Sequence, residues 1–148
     1  RNPKLIYECS KRYGSQSIVA SIDVRLNNNS GYSVFTDGGK VKIAQNLCDY
    51  IKKIEDLGAG ELLINNIDRD GMGNGYDFKL AKLVKDSTKL PIIFAGGVGD
   101  FKHLSDGIKY NLSAVAAGNI YHHKENSYYE AMKFLYLNNC NVRNPKIN

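Results

Sequence analysis

The sequence predicts an α/β fold built on a parallel sheet. Four short apolar runs, typical of buried strands, alternate with segments in which apolar residues recur at helical spacing. Each apolar run ends in polar or glycine residues. Helices between successive buried strands favour parallel strands joined by right-handed crossovers. With 148 residues the chain is long enough for one core, and we expect residues 1–148 to form a single domain.

The predicted elements follow one another without a linker. A helix over residues 2–13, which Gly14 is expected to end, precedes the first strand. Strands are predicted at 17–24, 62–67, 91–95 and 113–117, and the helices that follow them at 42–57, 77–87, 100–109 and 126–138. The segment YSVFT at 32–36, followed by Asp-Gly-Gly, predicts a small hairpin. Residues 27–29 and 40–42 are interpreted as solvated loop.

Composition limits the functional classes. No apolar run approaches the roughly 18 residues of a membrane span, and the first ten residues lack the apolar region of a signal peptide. The scattered cysteines Cys9, Cys48 and Cys140 favour reduced, packed thiols, so we expect a cytoplasmic protein without membrane association. The first residue is not Met, which suggests a fragment or a processed product. A net charge of +5 suits both an anionic small substrate and nucleic acid, and we expect the small substrate.

The later strands end in glycine-rich sequences that suit a phosphate. Parallel strands bring their carboxyl ends to one edge of the sheet. There, AGGVG at 95–99 and AGN at 117–119 supply backbone N–H groups that no Cβ blocks. The alternative is that these glycines only form tight turns. We expect a phosphate cradle that includes Gly96, Gly97, Gly118 and Asn119.

The earlier strands end in carboxylates. Asp23 is a candidate general acid or base at the mouth of the site, with a capping role as the alternative. In the segment DRDGMGNGYD at 68–77, Asp70 precedes a glycine and is expected to face a ligand. Asp68 and Arg69 are expected to form a self-neutralising surface loop, and Asp77 to cap the next helix.

The histidines point to no metal centre. His122 and His123 are adjacent and lack a carboxylate at ligand spacing, and His103 stands on a predicted helix. The sequence has no Ser-His-Asp or Cys-His nucleophile pattern. We therefore expect neither a metal nor another cofactor.

Several segments carry a resemblance to a known family. They are RYGSQSIVASIDV (12–24), GAGELLINNIDRDGMGNGYD (58–77), LPIIFAGGVGDFKHL (90–104), SAVAAGNIYHH (113–123) and NNCNVR (138–143). Together they resemble the cyclase subunit of imidazole glycerol phosphate synthase, a lyase of histidine biosynthesis. The resemblance implies a (β/α)8 TIM barrel made of two similar halves, of which this chain is the C-terminal, parallel (βα)4 half preceded by one helix.

The resemblance also implies a mechanism and partners. The substrate of the family is a phosphorylated small molecule, a long bisphosphate, and a glutaminase subunit supplies ammonia through the barrel. Asp23 matches the catalytic aspartate of the second half. The phosphate site of that half matches Gly71, Gly96, Gly97, Gly118 and Asn119, and Asn65 and Asp70 are expected to contact the substrate.

Two alternatives accompany this prediction. Asn65 and Ala95 stand where the family usually has Thr and Ser, Gly118-Asn119 replaces Ala-Ser, and GGKVKIAQN lacks the usual Lys-x-Thr-Gly run. These changes resemble a divergent branch from surface-polysaccharide gene sets, in which a cyclase-like subunit passes ammonia to a sugar amidotransferase. The other alternative is a half barrel that is inactive alone. Because a half barrel exposes sheet edges, we expect this chain to associate with an N-terminal half barrel or with a second copy of itself.

Overall fold

A computed structural model describes residues 2–27, 31–122 and 127–145, without the side chains of residues 44 and 45. The helices are α1 (Lys4–Tyr13), α2 (Leu47–Asp56), α3 (Phe78–Ser87), α4 (Phe101–Lys109) and α5 (Ser127–Leu137). The strands are β1 (Val19–Leu26), β2 (Tyr32–Thr36), β3 (Val41–Asn46), β4 (Glu61–Asn66), β5 (Ile92–Ala95) and β6 (Ala114–Val115). They form one sheet in the order β3-β2-β1-β4-β5-β6, within which β1, β4, β5 and β6 are parallel.

Most of the predicted elements are confirmed. The first helix ends at Gly14, which has a φ of 84° and donates its backbone N–H to the carbonyl of Ser10. Outside the hairpin region, the ends of the described elements lie within two residues of the predicted ends. The α/β fold with a largely parallel sheet therefore follows from the sequence pattern.

The second strand of the hairpin is the main correction to the predicted fold. Residues 41–46 were assigned to a solvated loop and to the start of a helix, but they form β3, which pairs antiparallel with β2. Asp37, Gly38 and Gly39 all have positive φ and turn the chain between the two strands. Helix α2 begins only after Asn46, whose side-chain oxygen accepts the N–H of Cys48 at 2.8 Å. Residues 28–29, also assigned to a loop, lie outside the described residues.

One face of the sheet is buried under helices, and the other is open. On β1, the alternating residues Ala20, Ile22 and Val24 are buried in a core that also contains residues of α2, α3, α4 and α5. On the opposite face, Val19 is 49% exposed, and Ser21 is also exposed. Parallel sheets are usually covered on both faces, so the open face is an unusual feature of this chain.

The parallel part of the sheet also has two open edges. Strand β2 pairs with β1 only from Asp23 to Leu26. In the described part of the chain, residues 19–22 of β1 therefore pair only with β4, and β6 pairs only with β5. Unpaired strand edges of this kind are ready to accept a further strand.

Asp77 links the sheet to α3. As predicted, it caps the helix: Oδ1 accepts the N–H groups of Lys79 and Leu80, both at 3.1 Å. Its other oxygen, Oδ2, accepts the hydroxyl of Tyr32 at 2.9 Å and the amide of Asn66 at 3.1 Å. One nearly buried carboxylate therefore joins β2, the end of β4 and the start of α3.

We expect Asp77→Ala to lower the free energy of unfolding by about 2–4 kcal/mol, since four hydrogen-bond donors lose their acceptor and two of them, on Asn66 and Leu80, are buried. Urea unfolding followed by circular dichroism measures this. Asp100→Ala is the matched control, because exposed Asp100 caps α4 through one N–H, that of Lys102, and its loss should cost about 1 kcal/mol. Equal losses in the two variants would show that Asp77 is only a helix cap.

The Tyr32 hydroxyl provides a pH test of the same contact. Burial, together with the hydrogen bond to Asp77 and its charge, raises the pKa of Tyr32 from 10.0 to about 12. The pKa of this phenol is 10.0 in the unfolded chain and about 12 in the folded chain. Its stabilisation of the fold is therefore complete below pH 10 and is lost as pH rises from about 10 to about 12. The stability difference between the wild type and Tyr32→Phe should therefore shrink over that range in urea unfolding. A difference that stays constant with pH would contradict the assignment.

Candidate functional site

The candidate site lies on the open face, at the carboxyl ends of the parallel strands. Asp23, Asn65 and Ala95 are register partners on β1, β4 and β5, so their side chains form one row across the sheet. Asn65 donates its amide to Oδ1 of Asp23 at 3.2 Å. Among the described residues this is the only hydrogen bond to the Asp23 carboxylate. Asp23 is half-buried, so its carboxylate is both oriented and accessible.

An aromatic and cationic wall adjoins Asp23 on the hairpin side. Phe35 is the register partner of Asp23 on β2, and the guanidinium of Arg25 lies 5.2 Å from the centre of its ring. Arg25 Nε is 2.7 Å from Oδ1 of Asp68, but its N–H is not directed at a hydrogen-bond acceptor. The contact is therefore an ion pair without good hydrogen-bond geometry. The other oxygen of Asp68 accepts the N–H of Leu26 at 3.0 Å, which fixes the loop after β4 to the end of β1.

The expected pairing of Asp68 with Arg69 is wrong, because each has a different partner. Asp68 pairs with Arg25, whereas Arg69 donates from Nη1 to the carbonyls of Gly75 at 3.1 Å and Tyr76 at 3.4 Å. Both side chains shape the loop between β4 and α3, as expected, but they do so by holding its two ends separately.

Asp70 and Gly71 lie at the exposed tip of this loop. The backbone N–H of Asp70 donates to the carbonyl of Asn66 at 3.1 Å, and Gly71 has a φ of 77° with open space around it. In the described part of the chain, no hydrogen bond or ion pair joins either residue to Asp23. The structure therefore brings Asp23, Asn65 and Ala95 together but leaves Asp70 and Gly71 apart from that row.

Gly96 and Gly97 are buried where two loops touch. Their φ angles are 95° and 102°, and a Cβ at either position would overlap a backbone carbonyl oxygen, that of Asn66 or of Gly75. The N–H of Gly75 donates to the carbonyl of Gly97 at 2.7 Å. Close backbone packing thus requires both glycines, whether or not the loop also binds an anion.

Gly118 and Asn119, which follow β6, are exposed, unlike Gly96 and Gly97 after β5. Gly118 has a φ of −112°, and among the described residues other than its chain neighbours no heavy atom lies within 4 Å of the place a Cβ would occupy. Asn119 begins a short 3₁₀ turn, Asn119–Tyr121. Close backbone packing therefore explains the glycines at 96 and 97, but among the described residues it gives no reason for a glycine at 118. His123 lies outside the described residues, and within those residues no group of three or more His, Cys, Asp and Glu could hold a metal ion.

Arg25 and Phe35 are neighbours of Asp23 that were not predicted from the sequence. Strand periodicity contained a signal for Arg25, because residues two apart on a strand share a face. Phe35 had no comparable local signal, since its position beside Asp23 depends on the register of the hairpin.

Residues 1–127 match the sequence model of the family described as histidine biosynthesis protein. The chain belongs to the histidine biosynthesis protein family. The match covers the whole sheet and ends at the first residue of α5. A family of histidine-biosynthesis barrel enzymes agrees with the largely parallel sheet, which is compatible with part of a TIM barrel. In the described part of the chain, no helix is both long and apolar enough to span a membrane.

Because packing encloses Gly97 but not Gly118, substitutions at these two glycines should differ in their effect on stability. Gly97→Ala should lower the free energy of unfolding by more than about 2 kcal/mol, because it adds a clash to an unfavourable positive φ. Gly118→Ala should change it by less than about 0.5 kcal/mol, since its site is open and its φ is negative. Thermal and urea unfolding measure both variants. A fully stable Gly97→Ala protein would show that the two loops can separate freely.

Proposed function

We propose that this histidine biosynthesis family member is the cyclase subunit of an imidazole glycerol phosphate synthase, in which Asp23 acts as general acid or base. The observation that carries the proposal is the Asp23–Asn65 pair at the carboxyl ends of parallel strands, where barrel enzymes place their chemistry. The amide engages one oxygen of the carboxylate. The other is left to exchange a proton with a substrate nitrogen or hydroxyl lying over the open face.

The phosphate of the substrate is proposed to lie beyond this row, over the ends of β5 and β6. Gly96, Gly97, Gly118 and Asn119 are the residues proposed to bind it, with Asp70 and Gly71 on the neighbouring loop. Support comes from the backbone: Gly118 is exposed and, like Gly96 and Gly97, has no Cβ of its own to cover its main-chain groups. We place the phosphate nearest Gly118 and Asn119, because backbone packing encloses the other two glycines.

A second (βα)4 unit is proposed to cover the open face and both open edges. In this proposal residues 1–148 are one domain, the C-terminal half of a TIM barrel. The second unit is an N-terminal half barrel or a second copy of the chain. The support is physical: the face holding Val19 and Ser21 is exposed, and residues 19–22 of β1 pair on one side only. Complete activity would then need this unit and, as the resemblance implies, a glutaminase subunit that supplies ammonia.

Ala95 favours a second candidate function. It sits beside Asn65 in the row next to Asp23 and presents a methyl group where the cyclase family usually has a hydroxyl. Fewer hydrogen-bond donors for a phosphorylated substrate would suit a cyclase-like subunit that passes ammonia to a sugar amidotransferase. The assay that tests cyclisation separates the two functions.

Turnover of the bisphosphate substrate with an ammonium salt, measured on the complete barrel, tests the proposal. Asp23→Asn should lower kcat by about 100-fold or more, the usual loss for a general acid or base, with the fold intact by circular dichroism. The control is Asp86→Asn, which makes the same change at an exposed residue of α3 that pairs with Lys82. It should leave kcat unchanged.

Two results would count against the cyclase assignment. Wild-type kcat in the Asp23→Asn variant would remove Asp23 from the chemistry. A wild-type barrel that folds but produces no imidazole product, while supporting ammonia-dependent amidation of a sugar nucleotide with its glutaminase, would favour the second function.

A further inference from the structure

A cavity lies on the helix-covered side of the sheet, apart from the candidate site. Its volume is about 490 Å³, within the range of small-molecule sites. Leu26 shares a face of β1 with buried Val24, and its register partner on β2 is Tyr32. The cavity bounded by these two residues is therefore separated by the sheet from Asp23, which points to the open face.

The walls of this cavity combine rings with cations. Tyr32, Tyr76 and Phe78 contribute aromatic residues, and Arg69 and Lys79 contribute positive charges. The rings of Phe78 and Tyr110 pack in a tilted arrangement with their centroids 4.7 Å apart, which restrains the Phe78 side chain. The lining thus offers apolar surface for a flat ring and charge for an anion.

The third charged residue of the lining is the anionic Asp77, which pairs with Arg69 at 4.0 Å and offsets part of its charge. Both oxygens of Asp77 already accept two hydrogen bonds each, from two helix N–H groups and from Tyr32 and Asn66. Two of these bonds satisfy the N–H groups of Lys79 and Leu80 in the first turn of α3, so those groups are not available to a ligand. With Arg69 and Lys79 opposed by the single carboxylate of Asp77, the described lining keeps a net positive charge, and Lys79 supplies the cation that no carboxylate offsets.

Arg69 is already fixed in place. Nη1 donates to the carbonyls of Gly75 and Tyr76, and Nε lies 4.0 Å from Oδ2 of Asp77. Within the described residues, Nη2 of Arg69 and Nζ of Lys79 have no hydrogen-bond or ion-pair partner. Because the guanidinium is held by the loop, an anion would meet a preformed donor rather than a mobile side chain.

We propose that this cavity binds a small anion attached to a flat ring, such as an aryl phosphate or an aromatic carboxylate. Arg69 and Lys79 bind the anionic group, and the ring lies against Tyr32 and Phe78. The site is independent of the chemistry proposed at Asp23. Its ligand would contact the same loop that pairs with Gly97, so occupancy at this site would stiffen one wall of the candidate active site.

Phenyl phosphate, added to the ¹⁵N-labelled chain and followed by amide NMR shifts, tests the proposal. The shifts should be largest at residues 26, 32 and 79 and small at Asp23 and Asn65. Lys79→Gln should weaken binding about fivefold, the effect of one partly screened charge contact. The matched control is Lys82→Gln on the same helix, whose exposed Nζ pairs with Asp86; it should bind like the wild type.

A second variant tests the ring separately. Phe78→Leu should weaken phenyl phosphate but leave the weaker binding of inorganic phosphate unchanged. Equal affinity for the two anions in the wild-type chain would contradict a role for the ring. Shifts confined to residues 96–97 and 118–119, or equal effects of Lys79→Gln and Lys82→Gln, would overturn the site. None of these results depends on turnover, so failure here leaves the assignment of Asp23 untouched.

Discussion

The carboxylate of Asp77 is the contact on which the arrangement of this molecule depends most. It is 8% exposed and accepts four hydrogen bonds that come from three different elements. Buried Asn66, the last residue of β4, donates to it and also accepts the backbone N–H of Asp68 through its own oxygen at 3.1 Å. Removing the carboxylate would strand a buried amide and release the start of α3 together with the hairpin.

Two adjacent residues at the end of β4 connect the two faces of the sheet. Asn65 and Asn66 are adjacent on β4, so their side chains point to opposite faces. Asn66 anchors the helix-covered face through Asp77, and Asn65 orients Asp23 on the open face. Backbone packing of the 68–77 loop against Gly96 and Gly97 then joins the ends of β4 and β5. Structural support and candidate chemistry thus occupy neighbouring residues of one strand.

The parts of the fold that the sequence predicted are those with a local signal. Buried strands, the stop at Gly14 and the cap at Asp77 all rest on residues close together in the chain. The row of Asp23 and Asn65 followed from parallel strands ending at one edge. Strand β3 was missed because Ile43 and Leu47 have helical spacing, although the register with β2 places Ile43 in a sheet. The Arg25–Asp68 pair joins residues 43 positions apart in the sequence, and nothing local predicts it.

The open face and edges of the sheet lead to the proposal that a second (βα)4 unit covers them. Sedimentation equilibrium of the 148-residue chain at micromolar concentration tests this claim most directly. We expect a mass well above the 16.5 kDa of one chain, because two copies would bury each other's exposed faces and edges. A single folded species of 16.5 kDa across the concentration range would contradict it, because the open face and edges would then be stable in water without any covering unit.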